Sequence, residues 1–277
     1  MQLDLLIDGI DFGEGPRWHQ GRLWYSDFFQ HAVFAVTPDG HRERIVEVPQ
    51  QPSGLGWLPD GRLLIVSMLD HRLLRLEDDG TLAEHADLSG IATGPCNDMV
   101  VSATGHAYVG NFGAPTPDGP PEAALAHVTP EGRVTEAARG LRFPNGSVIT
   151  PDGRTLIVAE SAGAALTAFD INGDGSLTNR RTWASLDARP DGIALDAEGA
   201  IWLADAGGQR VLRVREGGQV THTIDTEDNA YACALGGPQG RTLYILTAPG
   251  HTAEACAGRG AGRILHTPVD VPRAGIP

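Results

Sequence analysis

A short motif recurs six times along the 277-residue chain, and its spacing limits the folds that the chain can form. Each copy has an apolar stretch, a turn that ends in glycine, and a second apolar stretch, as in Pro59-Asp60-Gly61-Arg62-Leu63-Leu64-Ile65. The turn glycines are Gly21, Gly61, Gly105, Gly153, Gly199 and Gly240. They repeat at about 44 residues. A repeat of this length with several short strands is typical of the blades of a β-propeller.

The repeat predicts an all-β fold, a six-bladed β-propeller with four-stranded antiparallel blades. Glycine ends each turn because it accepts the positive φ of a tight hairpin, and a second hairpin follows, as at Arg72–Leu76 and Arg210–Val214. No amphipathic stretch of helical length interrupts the units. Since the six units span nearly the whole chain, we expect one domain over residues 1–277, with Gln2–Ile7 pairing with the last blade to close the ring. A two-domain β-sandwich would not produce six evenly spaced copies.

Composition excludes several classes of function. The chain has 35 acidic and 21 basic residues, and this net charge of −14 disfavours nucleic acid or an anionic membrane as a partner. All the basic residues are arginine, which excludes a Schiff-base lysine and a P-loop lysine. We expect no signal peptide and no membrane span. The three cysteines, Cys96, Cys233 and Cys256, have no paired spacing, which favours a reducing, cytoplasmic location. The oligomeric state is not indicated.

Polar residues occupy two equivalent positions of the repeat. The strands before and after each turn glycine form a hairpin, so the first residue of one and the last residue of the other lie at the same end of the blade. We call the first set the upstream ring, and it comprises Glu14, Ser53, Asn97, Asn145, Asp191 and Ala232. The second set, the downstream ring, comprises Asp27, Ser67, Asn111, Glu160, Asp205 and Thr247. Because the first strand of a blade lines the central axis, upstream residues from different blades are expected to converge.

Four members of the upstream ring, Glu14, Asn97, Asn145 and Asp191, carry oxygen donors. Carboxylates and amides without His or Cys suit Ca²⁺, Mg²⁺ or Mn²⁺ better than a soft metal. Any one of them alone is as well explained as a turn cap, but four at one point of the repeat favour a shared site. The two rings predict a carboxylate-rich mouth, and the aromatic content of 6% predicts few aromatic residues there. The segment Asp170–Gly175 starts like an EF-hand loop, but Arg181 replaces the required Glu, so we predict a plain hairpin turn.

Four motifs resemble those of the gluconolactonase/regucalcin (senescence marker protein) family in order and spacing. They are Gly13-Glu14-Gly15-Pro16, Cys96-Asn97-Asp98, Pro144-Asn145-Gly146 and Pro190-Asp191-Gly192. The resemblance covers essentially the whole chain and implies a six-bladed propeller that hydrolyses sugar lactones or related cyclic esters. It implies that Glu14, Asn145 and Asp191 bind one divalent cation, Ca²⁺ first and Zn²⁺, Mn²⁺ or Mg²⁺ as alternatives. It also implies that Asn97 contacts the substrate.

One position departs from the family. Regucalcin-like members carry an Arg two residues before the Asn of the third blade, where it meets sugar hydroxyls, and this chain has Pro95. A small-molecule lactone or ester is therefore expected as the substrate, without a requirement that it be an aldonolactone. The Gly- and Pro-rich segment Phe112–Glu122 is a candidate lid.

The expected mechanism follows from the negative charge that develops on the substrate during ester hydrolysis. Ester hydrolysis builds an oxyanion, which a divalent cation stabilises as a Lewis acid. Asp191, which has no histidine competitor, is the expected general base, and hydroxide on the metal is the alternative. Two other functions stay open: a metal-dependent hydratase, isomerase or cyclase on the same site, and a non-catalytic calcium-binding propeller.

Overall fold

The structure is a computed structural model that describes residues 2–116 and 119–277. It begins with β1 (Asp4–Ile10) and then forms the blades in order, each from its central strand outward. Blade 1 contains β2 (Gly13–His19), β3 (Arg22–Asp27), β4 (Ala32–Val36) and β5 (Arg42–Glu47). Blade 2 contains β6 (Pro52–Trp57), β7 (Leu63–Ser67), β8 (Arg72–Leu76) and β9 (Leu82–Asp87). Blade 3 contains β10 (Cys96–Val101), β11 (Ala107–Asn111), β12 (Ala114–Thr116), β13 (Gly119–Val128) and β14 (Val134–Leu141).

The second half of the ring has the same order. Blade 4 contains β15 (Pro144–Ile149), β16 (Thr155–Glu160), β17 (Ala165–Ile171) and β18 (Leu177–Ser185). Blade 5 contains β19 (Pro190–Leu195), β20 (Ile201–Asp205), β21 (Arg210–Val214) and β22 (Val220–Asp225). Blade 6 contains β23 (Asn229–Gly236), β24 (Thr242–Ala248), the helix α1 (Ala253–Cys256) and β25 (Gly262–Pro268).

The predicted six-bladed propeller is confirmed. All strand pairs are antiparallel, and each central strand packs against the next in the cycle β2, β6, β10, β15, β19, β23 and back to β2. Blade 3 differs from the four-stranded pattern because the short β12 pairs with β13 beside β14. The turn glycines all have positive φ, between 66° and 90°, as the hairpins require.

The ring closes through β1, which is the outermost strand of blade 6 and pairs with β25. The predicted closure by the N-terminal segment is therefore confirmed, although the strand covers Asp4–Ile10. Joining the first strand of the chain to the last blade leaves no unpaired break in the ring.

Hydrophobic clusters fill the spaces between adjacent blades. Between blades 5 and 6, for example, Trp202 of β20 packs with Leu235 and Leu243. Equivalent clusters lie in the other five spaces. Burial on both faces explains the nearly continuous apolar runs of the inner strands, and it holds the central strands at fixed positions around the axis.

Three further predictions concern the cysteines, the segment Asp170–Gly175 and membrane-spanning helices. The three cysteines are free and buried. Asp170–Gly175 leads into the turn between β17 and β18, where Asp170 pairs with Arg181 at 2.6 Å. Across residues 2–116 and 119–277, no helix has the length and apolar character to cross a bilayer, and α1 has four residues.

Candidate functional site

Each central strand contains a β-bulge at the upstream ring. In blade 4, Pro144 lies opposite Glu160 and Ser147 lies opposite Val158, so β15 has one extra residue there. The same extra residue occurs in the other five inner hairpins. A bulge bends the strand and redirects its side chains, and bulges are common beside active sites. This irregularity sets the upstream residues apart from the rest of the strand.

The upstream member predicted for blade 6 is wrong by one residue. Ala230 lies opposite Thr247 and Ala232 lies opposite Leu246, so the extra residue is Tyr231. Ala232 packs in the core between blades 6 and 1 instead. Tyr231 is a functional candidate that sequence spacing missed, because the bulge in β23 lies one residue further from the turn glycine than in most blades.

A cavity of about 400 Å³ lies at the bulged end of the central strands. Its floor contains Glu14, Asn97, Asn145 and Asp191, which come from four different blades and are between 4% and 7% exposed. Tyr231 also lines it. The structure thus brings together the four residues that the repeat predicted to converge.

The cavity wall also follows the repeat. One set of wall residues lies two positions before the upstream ring: Phe12, Gln51, Pro95, Phe143 and Arg189. A second set lies one or two positions after the downstream ring: Phe28, Phe29, Met68, Leu69, Phe112, Ser161 and Ala206. His251, from the segment between β24 and α1, completes the lining. The cavity is therefore formed by repeat-equivalent positions, with the upstream ring as its floor.

Hydrogen bonds orient the amide of Asn145. Its Nδ2 donates to Ser161 Oγ at 3.2 Å, and that hydroxyl donates to the carbonyl oxygen of Pro190 at 2.6 Å. Asn145 Oδ1 is left buried without a hydrogen-bond partner, and so is Asp191 Oδ1. A buried oxygen without a partner is costly, and these two on adjacent blades are open to a ligand. Ser161 was not predicted from the sequence.

The two carboxyl groups of the floor have perturbed acidity. Burial raises the pKa of Glu14 well above its usual range, and repulsion from Asp191 and Asp98 adds to the effect. Burial also raises the pKa of Asp191, with repulsion from Asp98 next, while Arg189 acts in the opposite direction. The floor therefore concentrates negative charge in a place with little solvent, which a cation would relieve.

A buried ion pair lies among the same bulged segments. Arg17 Nη2 contacts Asp98 Oδ1 at 2.6 Å, and both side chains are buried. The guanidinium also donates to the carbonyl oxygens of Pro16, Leu55 and Met99. Arg17 thus ties the bulges of blades 1, 2 and 3 together, and no role for it was predicted.

The downstream ring does not join the cavity. Asp27 accepts hydrogen bonds from the backbone N–H groups of four residues, Asp11, Phe12, Phe29 and Gln30. Asp205 accepts from the N–H groups of Arg189 and Gly207 and pairs with Arg210. Asn111 and Glu160 bind loop N–H groups in the same way. Four members of this ring therefore hold loops in place.

The predicted scarcity of aromatic residues at the mouth is wrong. Five of the seven phenylalanines line the cavity, together with Tyr231. The overall aromatic content of 6% gave no sign of this concentration, because it says nothing about position. The expectation that no histidine lies near the site is also wrong, since His251 lines the cavity with its ring 6.4 Å from that of Tyr231.

The candidate lid contains regular structure. Phe112 lines the cavity, Ala114–Thr116 is β12, and Gly119 begins β13, which pairs with it. Residues 117 and 118 of the proposed lid lie outside the described residues. The described part is thus a small hairpin extension of blade 3 at the cavity edge.

Comparison with known proteins places the chain in a family. Residues 12–249 match the SMP-30/gluconolactonase/LRE-like region. The chain belongs to this family. A curated relative, 6-deoxy-6-sulfogluconolactonase of Pseudomonas putida, is 26% identical and is matched over 96% of this chain and 94% of its own length. Regucalcin of Xenopus laevis is 25% identical over 85% of this chain and 83% of its own.

A solved structure of a family member has the same fold. The calcium-binding protein regucalcin from Agrobacterium tumefaciens superimposes with a TM-score of 0.82 at 23% identity, covering 99% of this chain and 95% of that one. The structure places Pro95, the position at which the sequence departs from the expected family pattern, in the cavity wall.

Proposed function

We propose that the chain is a divalent-cation-dependent lactonase whose reaction takes place on the floor of the central cavity. The observation that carries the proposal is the pair of buried, unpartnered oxygens, Asn145 Oδ1 and Asp191 Oδ1, at one end of a cavity of about 400 Å³. That volume suits a small molecule. Family membership and a sulfogluconolactonase relative matched over 94% of its length support lactone hydrolysis.

The residues on the floor fit a hard divalent cation. Glu14, Asn145 and Asp191 offer two carboxylates and one amide oxygen, which is a donor set that Ca²⁺ accepts. In the described ranges, no group of three or more His, Cys, Asp or Glu side chains could hold a metal, so the proposed site depends on the amide oxygen of Asn145 beside the two carboxylates. The calcium-binding description of the regucalcin structure from Agrobacterium supports Ca²⁺ as the first candidate, before Zn²⁺, Mn²⁺ or Mg²⁺.

Each residue of the floor has a separate role in the proposed hydrolysis. When bound, the cation would supply Lewis-acid polarisation of the lactone carbonyl. Asp191 accepts a proton from the attacking water, whose oxygen bonds to the carbonyl carbon. The ring C–O bond then breaks, and the proton passes to the departing ring oxygen, giving a hydroxy acid. Glu14 and Asn145 hold the cation, and Asn97 orients the substrate beside it.

The test is hydrolysis of a lactone panel followed with a pH indicator. The protein is first treated with EDTA and then supplied with Ca²⁺, Mg²⁺, Mn²⁺ or Zn²⁺. We expect turnover to disappear with EDTA and to return with one of the ions. A protein that binds the cation but hydrolyses no lactone would contradict the proposal and favour a hydratase, isomerase or cyclase, or a calcium-binding propeller.

The proposal also covers the cellular location and the domain organisation of the enzyme. The three unpaired, buried cysteines fit a reducing compartment, so we assign a cytoplasmic location. We also assign residues 1–277 to one domain, because the strand that closes blade 6 comes from the start of the chain.

A further inference from the structure

The walls of the cavity are aromatic on two sides. On the side of blades 6 and 1, the ring of Phe12 lies 5.1 Å from that of Phe28, 6.1 Å from Phe29 and 4.8 Å from Tyr231. On the side of blades 3 and 4, the rings of Phe112 and Phe143 are 4.6 Å apart. We call these the first and second aromatic walls.

Aliphatic side chains connect the two walls. Met68 and Leu69 lie between them on blade 2, and Pro95 lies beside Phe112 on blade 3, where its carbonyl accepts the Phe112 N–H at 2.9 Å. Leu69 is 49% exposed, a level that few large apolar residues of the described chain reach. Such a surface gains free energy when an apolar group covers it.

Groups that could bind sugar hydroxyls are scarce in the wall. The Ser161 hydroxyl is already engaged, because it accepts from Asn145 and donates to Pro190. Three other polar side chains, Gln51, Arg189 and His251, line the cavity above the floor. Hydroxyls of a polyhydroxylated lactone that face the two aromatic walls would lie against carbon, and a buried hydroxyl without a hydrogen bond is costly.

We propose that the substrate is a lactone with an apolar aromatic or alkyl body, held between the two aromatic walls with its ester at the polar floor. The inference rests on the proposed lactonase function and specifies its substrate class. The cavity accordingly selects against aldonolactones. A hydroxyl that is buried against the aromatic walls loses its hydrogen bonds to water, so these walls favour a bare ring or chain over a hydroxylated one.

The first experiment compares four δ-lactones with the cation-loaded protein. Dihydrocoumarin carries an aromatic body, δ-decalactone an alkyl chain, δ-valerolactone neither, and δ-gluconolactone a full set of hydroxyls. We expect kcat/KM for dihydrocoumarin or δ-decalactone to exceed that for δ-gluconolactone by at least about tenfold. A preference for δ-gluconolactone would overturn the substrate class and leave the lactonase function standing.

Binding provides a second measurement that does not depend on catalysis. The ketone 2-tetralone replaces the ring oxygen of dihydrocoumarin with a methylene, so it can bind without being hydrolysed. We expect it to be bound in a calorimetric titration and Phe112→Ala to weaken that binding. Binding without any lactone hydrolysis would support the apolar ligand class and refute the lactonase function. Absence of both would overturn both.

Variants of the second wall test the cause of the preference. Phe112→Ala and Phe143→Ala remove half-buried rings, and each should lower kcat/KM for dihydrocoumarin about tenfold with a smaller effect on δ-valerolactone. Val220→Ala, on the exposed outer strand of blade 5, is the control. Pro95→Arg should shift the ratio of activities toward δ-gluconolactone. Equal effects of the ring deletions on both substrates would contradict the assignment of the wall to substrate binding.

Discussion

The upstream and downstream rings use the same kinds of residue at the same end of the same hairpins, but their surroundings are opposite. Asp191 of the upstream ring has a buried carboxyl oxygen without a partner. Asp205 of the downstream ring, in the same blade, accepts two backbone N–H groups and pairs with Arg210 at 2.9 Å. The difference comes from the bulge, which lies on the central strand β19 and not on β20, and which turns its residues toward the axis.

This contrast separates carboxylates that serve stability from those available for chemistry. A carboxylate that accepts several N–H groups is satisfied within the protein and fixes a loop. A carboxylate that has a raised pKa and an oxygen atom without a partner can use that oxygen to bind a ligand. Residue type alone does not distinguish the two, whereas position relative to the bulge does.

The largest expected effect is that of Asp191→Asn. Turnover should fall at least about a hundredfold at saturating cation, because the amide cannot take the proton of the attacking water. Steady-state kinetics with a responsive lactone measures it. The matched control is Asp205→Asn in the same blade, for which turnover should change less than about threefold. Near-normal turnover of Asp191→Asn would eliminate its role as the base.

The reverse pattern is expected for stability. Asp205→Ala removes three hydrogen-bonding contacts and leaves partly buried N–H groups unpaired, so the free energy of unfolding should fall by about 2–3 kcal/mol. Urea denaturation measures this quantity. Asp191→Ala should cost less, or even stabilise the cation-free protein, because it removes a buried charge. If the two variants lose equal stability, the distinction between the rings fails.

Ser161→Ala tests the point where the rings meet. Ser161 follows the downstream residue Glu160 and binds the amide of upstream Asn145 at 3.2 Å. Loss of this orienting contact should weaken cation affinity about tenfold. Titration calorimetry with Ca²⁺ gives the affinity, and Ser161→Thr, which keeps the hydroxyl, should restore most of it. A cation affinity unchanged in Ser161→Ala would show that Asn145 is positioned by other contacts.

The fold was predictable because its signal is local and repeated. Each turn glycine needs a positive φ whatever the rest of the chain does, so six evenly spaced turns indicate six blades. The convergence of Glu14, Asn97, Asn145 and Asp191 then follows from the symmetry of the ring. The same regularity fails at Tyr231, because a shift of one residue in a bulge is not visible in spacing.

The aromatic walls were missed although a positional signal was present. Phe12 and Phe143 each precede an upstream residue by two positions, and Phe28 and Phe112 each follow a downstream residue by one. The repeat alone does not assign them to the cavity, because apolar residues at the ends of strands are equally common in the core. Arg17 is different: its partners Asp98 and Leu55 come from other blades, so only the folded ring brings them together.

A further expected effect is the pH dependence of cation-free stability. The folded pKa values of Glu14 and Asp191 lie above those of the unfolded chain, so the folded state retains protons that the unfolded state releases. The free energy of unfolding should therefore decrease as pH rises from roughly 4 through the raised pKa values, by about 1.4 kcal/mol per pH unit for each retained proton. Bound Ca²⁺ compensates the charges, so the decrease should vanish at saturating Ca²⁺.

Urea denaturation over a pH series, with EDTA or with Ca²⁺, measures both slopes. Glu14→Gln should flatten the EDTA series, whereas Glu160→Gln in the downstream ring should leave it unchanged, and equal slopes with and without Ca²⁺ would contradict cation binding by the upstream ring.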